Sequence, residues 1–117
     1  MLEITDPMSR KTGVGGTPWF MDETGLTTRQ VNYWRMGGVL CPVSDSMPGS
    51  GHRVTWDHAE VQIARLLLQM AEVQPVEMLF LAKVARNLRA HPDLDVIYVS
   101  PDGTVSAVPH TGWCLIR

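Results

Sequence analysis

The sequence predicts an α+β chain, mainly α, and three observations carry that expectation. Two long segments, ending near Val73 and near Ala90, repeat apolar residues at helical spacing. Ahead of them, two shorter runs are punctuated by threonine, proline and glycine, as helix starts and stops are. After His91-Pro92 the pattern changes to short β-branched and aromatic runs around a proline-glycine turn. With 117 residues, 44% hydrophobic and 19% charged, the chain is one small domain or two very small ones.

Residues 1–16 show no sustained period and end in a glycine cluster, so they read as a flexible lead. Thr17 followed by Pro18 is a helix start, hydroxyl cap and then proline at the first position, which gives a first helix over about 18–24, stopped by Gly25. A second helix starts at Thr27 or Thr28 and ends at Gly37-Gly38. On it Val31 and Trp34 face inward, while Thr28, Asn32 and Arg35 share the outer side and Arg29 lies one turn below Tyr33.

Val39 to Arg53 is a loop rich in Pro, Gly and Ser, closed by an extended stretch at His52 to Thr55. It has the form of a wing, two strand segments around a tip at Met47 to Gly51. Thr55 is the expected cap of a third helix that runs to about Val73, with Asp57 in its first turn and apolar residues over more than half of its circumference. Pro75 opens a fourth helix to about Ala90, where Met78, Leu81, Ala85 and Leu88 form a stripe. That stripe, together with the hairpin that follows it, forms a dimer surface, or else the stripe completes the core of one chain. Val96–Val99, a turn at 100–103 and Thr104–Val108 make a β-hairpin, and residues 112–117 add a third strand or a packed terminal segment. The organisation is therefore a lead at 1–16, a unit at 17–73, and a helix plus hairpin at 75–117.

Helix, glycine-containing turn, helix with an outward Arg and Asn face, wing and long apolar helix together suit a winged helix-turn-helix. A helix enters the major groove, Arg and Asn bond to base edges, and a wing arginine meets phosphate or minor groove. The run Gly25 to Pro42, GLTTRQVNYWRMGGVLCP, resembles the recognition helix and wing start of MerR-type DNA-binding domains, with Gly25, Thr27, Arg29, Val31, Tyr33, Trp34, Gly38, Leu40 and Pro42 in register. Gly49 to Val61, GSGHRVTWDHAEV, is similar to that family's wing and third helix, with Arg53 at the wing arginine and Glu60 where aspartate is common. The resemblance covers roughly residues 17 to 70. Asn32 departs from it, standing where arginine is usual, and the helix after residue 75 is short for an effector-sensing member.

The resemblance implies a minimal, phage-type or excisionase-like relative that binds double-stranded DNA as a homodimer, most simply as a repressor. Thr28, Arg29, Asn32, Tyr33 and Arg35 on the second helix and His52 and Arg53 on the wing are the candidate contacts. The ordinary alternative is that Arg29, Arg35 and Tyr33 are surface residues of a packed helix. An architectural factor in recombination is a variant of the same reading. An adaptor that kept the fold and binds protein through the fourth helix or the hairpin is the alternative from another class. A formal net charge of −2 leans towards it, although between Leu26 and Trp56 Arg29, Arg35 and Arg53 oppose Asp45 alone.

Other classes find little support. There is no phosphate-binding loop, nucleophile elbow or zinc-protease helix, so no enzyme and no cofactor are expected. Cys41, His52 and His58 lack paired ligand spacing, so no metal is expected either. Asp93, Asp95 and Asp102 read as turn and solvating residues, and Cys114 as a buried thiol. Polar residues interrupt the apolar stretch Leu66 to Ala85, Glu3 and Asp6 replace any signal-peptide core, and two cysteines form no disulfide scaffold. A cytoplasmic protein is the expectation.

Overall fold

The computed structural model describes residues 14–43, 54–73, 75–109 and 111–117. Among these the chain is α+β, with four helices and two small antiparallel sheets: β1 Val14–Gly16, α1 Thr17–Thr24, α2 Thr28–Met36, β2 Thr55–Asp57, α3 His58–Val73, α4 Met78–Arg89, β3 Val96–Val99, β4 Val105–Ser106 and β5 Trp113–Ile116. β1 pairs with β2, and the second sheet has the order β4-β3-β5. No described helix is long and apolar enough to cross a membrane.

The helix boundaries follow local chemistry. α1 carries its proline in the first turn and ends at Gly25 in the left-handed conformation. Its expected hydroxyl cap is replaced: Gly16 is the N-cap, and the Thr17 Oγ1 instead accepts the Trp56 indole N–H at 3.0 Å. α2 starts with a complete capping box, Thr27 Oγ1 accepting from the Gln30 N–H and the Thr27 N–H donating to Gln30 Oε1. Thr55 does not cap α3, because it lies in β2. Asp57 takes that role, its Oδ1 accepting the Glu60 N–H at 3.0 Å. α4 begins at Met78 rather than Pro75, since the chain is still extended at Glu77.

The strand at β1 corrects the flexible lead. Val14 to Gly16 pair with Asp57, Trp56 and Thr55, and Gly15 is required by close approach: a Cβ there would sit 2.6 Å from the Trp19 ring. Extended chain was expected at His52 to Thr55, but the strand shares only Thr55 with that stretch and finds its partner upstream. The Val43 N–H does donate to the Thr55 C=O at 2.8 Å, so the chain on either side of residues 44–53 comes together. The wing tip at 47–51, His52 and Arg53 lie outside the described residues.

One core runs through the molecule. Trp56 stacks on Phe20 with ring centroids 4.2 Å apart, fixing β2 against α1, and α3 supplies Val61, Ala64, Leu67 and Met70 at full burial. Leu81, Ala85 and Leu88 of α4 are buried in this same core. The α4 stripe therefore completes one chain and is not an open dimer surface. Ile97, Val99, Val105 and Leu115 extend the core under the second sheet, where β5 settles residues 112–117 as a strand. Cys114 is exposed rather than buried, because it falls on the outward phase of β5 beside buried Leu115.

Candidate nucleic-acid interface

α2 divides into two faces. Val31 and Trp34 are buried, with 1% and 7% of their surface exposed, and anchor the helix to the core. Arg29, Asn32 and Tyr33 are exposed, and among the described residues nothing pairs with Arg29 or Asn32. The helix TRQVNYWRM holds two arginines and no carboxylate, so its outer side is locally cationic.

The five α2 positions singled out by sequence do not behave alike. Arg29, Asn32 and Tyr33 present themselves together within little more than one turn. Thr28 is exposed, but its hydroxyl turns back to Met21 Sδ of α1, 3.6 Å away. Arg35 is half-buried and already engaged. His52 and Arg53 fall outside the described residues, so the structure places no wing contact beside the helix.

Both ends of α2 are fixed. At the start, the capping box ties Thr27 to Gln30. At the exit, a buried ion pair holds the chain: the Arg89 guanidinium bonds to both oxygens of Glu60, and its Nη2 also donates to the Val39 C=O at 2.7 Å. Glu60 Oε2 in turn accepts the Cys41 N–H at 2.8 Å. Burial alone would lower the Arg89 pKa, but the hydrogen bond and negative charge of Glu60 outweigh it and raise that pKa.

This strut was not legible as such. Glu60 stands at a motif position, and nothing in the sequence singles out Arg89. The available signal was that Glu60 sits one turn before Ile63 and Ala64 on the apolar side of α3, where a carboxylate needs a partner. Nothing local pointed to Arg89, which is 29 residues away.

Among the described residues no three His, Cys, Asp or Glu side chains gather as a metal site. No protein-family model matches the chain, and no curated protein matches it at a significant level.

Proposed function

We propose that the chain is a sequence-specific double-stranded-DNA-binding regulator, most simply a repressor acting as a dimer. In this reading α1 and α2 form a helix-turn-helix, the segment around residues 44–53 is its wing, and α2 enters the major groove. Arg29, Asn32 and Tyr33 read or clamp the major groove, Arg35 joins them by giving up its present contact, and His52 and Arg53 grip phosphate from the wing. The observation that carries it is the outer face of α2, where Arg29 and Asn32 stand exposed and unpaired among the described residues on a helix clamped at both ends. A guanidinium and a carboxamide on a fixed backbone can meet a duplex without first breaking another pair, at the cost of ordering their own rotamers.

The test is retention on heparin or nonspecific DNA at low salt, followed by selection of a preferred duplex from a random pool. Binding that falls steeply as salt rises supports the reading, because phosphate contacts release counterions. No retention at low salt rejects it and leaves the adaptor. Several copies bound side by side on bent DNA would favour the recombination variant.

A further inference from the structure

α2 carries two carboxamides and two guanidiniums, and one of each is already committed. Gln30 serves the capping box, where its Oε1 accepts the Thr27 N–H at 2.9 Å. Arg35 is half-buried and engaged. Arg29 and Asn32 are left over, both exposed and, among the described residues, both unpaired. Buried Val31 and Trp34 set the inner line of the helix. Helical rotation puts Arg29 almost opposite their midpoint and Asn32 beside it, three residues and about 4.5 Å further along the axis.

The two head groups ask for different partners. A guanidinium is a fork of donors with no acceptor, whereas a carboxamide sets a donor beside an acceptor in one plane. In the major groove guanine offers two acceptors, O6 and N7, and adenine offers the N7 acceptor beside the N6 donor. Guanine therefore matches Arg29 through two bonds, and adenine matches Asn32 through two. Asn32 has no charge with which to hold a phosphate. Its short side chain, near the outermost line of α2, faces the floor of a groove and not the phosphate walls.

We infer that Asn32 is the adenine-reading residue of α2 and that Arg29 reads a guanine one or two base pairs away. This rests on the proposed DNA-binding role of α2, and it names the bases that role leaves open. An axial offset of about 4.5 Å against about 3.4 Å per base pair sets the neighbouring step, and the longer arginine side chain reaches that pair or the next. Asn32 fixes the register because it has the shorter reach: its adenine lies directly beneath the helix.

The test uses the full chain and the duplex it selects from a random pool. That duplex should hold an adenine with a guanine one or two base pairs away. Replacing the adenine by 7-deazaadenine, which lacks the N7 acceptor and keeps its Watson–Crick pairing, should weaken binding roughly three- to tenfold. Asn32→Ala, at an exposed helix position, should lose the base preference at the adenine and suffer no further loss with 7-deazaadenine. Its salt dependence should match that of the unaltered chain, since no charge is removed. Arg29→Ala should lose the preference at the guanine and keep it at the adenine. Should Asn32→Ala fail to fold, Asn32→Asp gives the reading, its carboxylate moving the preferred base from adenine to cytosine, whose N4 donor it accepts. An Asn32→Ala chain that still prefers adenine, or a 7-deazaadenine effect of equal size with and without Asn32, overturns the inference while DNA binding stands. Binding to no duplex at low salt rejects the regulator, and this inference with it.

Discussion

Arg89 and Glu60, 29 residues apart in sequence, join the end of α4 to the start of α3, and through the Val39 C=O and the Cys41 N–H they hold the chain leaving α2. Glu60 is the more deeply placed partner, with 7% of its side chain exposed against 27% for Arg89. Removing the cation strands a buried carboxylate. Arg89→Ala should therefore cost about 3 kcal/mol, within the range for breaking a buried pair and lowered by the water that reaches Arg89. Glu60→Gln, which keeps an acceptor for Cys41, should cost less. Urea unfolding of the two variants measures both, and equal losses would contradict this account.

Gln69 acts as a one-residue strand beside β5. Its two hydrogen bonds to Ile116 are those that a neighbouring backbone would supply. Gln69→Ala should cost about 1 to 2 kcal/mol, at about 1 kcal/mol or less for each bond. The Ile116 amide should also exchange with deuterium faster than that of buried Leu115.

Gly112 admits no other residue. Its φ is +131°, and a Cβ there would lie 2.0 Å from the Val99 carbonyl oxygen, which is rigid backbone. Gly112→Ala combines a strained dihedral with a clash, and a loss of about 3 kcal/mol or more is expected. A fall in thermal midpoint measures it. Gly25→Ala is the control, since its strain comes without a neighbour within 4 Å.

Asp102 organises the turn between β3 and β4. The Ser100 hydroxyl, then the Thr104 N–H and the Thr104 hydroxyl, all donate to its Oδ1 and lower its pKa to about 2. A carboxyl with a depressed folded pKa contributes stability that is present above its unfolded value, about 3.9. That contribution drains away as pH falls towards about 2. A carbon-detected NMR titration should show Asp102 ionising below the ordinary aspartate range. Asp102→Asn should remove this acid-dependent part of the stability.

Arg29→Ala should weaken binding to a selected duplex by about 1 to 3 kcal/mol and relax the base preference at one position. Arg65 of α3 is the matched control. It is bound to Glu23 through the Glu23 C=O at 2.8 Å, so its removal should leave DNA affinity unchanged while costing a little stability. A gel-shift titration separates the two.

Much of what is local was legible in the sequence, although the Asp57 cap of α3 and the start of α4 at Met78 were not. Pro18 and Gly25 bracket α1, a threonine at 27 or 28 starts α2, and the spacing of Val31 and Trp34 decided which side of α2 goes inward, leaving Arg29 and Asn32 outside. The turn before Gly103 was equally readable, since its 2.9 Å hydrogen bond from the Gly103 N–H to the Ser100 C=O joins residues three apart. Packing between distant segments settled the rest. Gly15 looked like part of a structureless lead until Trp19 and Trp56 were placed around it, and Thr17 lost its expected capping duty to an indole 39 residues away. The α4 stripe could serve a core or a partner with the same periodicity, and only the neighbouring α3 and sheet assigned it to the core. Periodicity records which face of an element is apolar. What covers that face, and which buried charge finds which, depends on contacts between segments that no local pattern encodes.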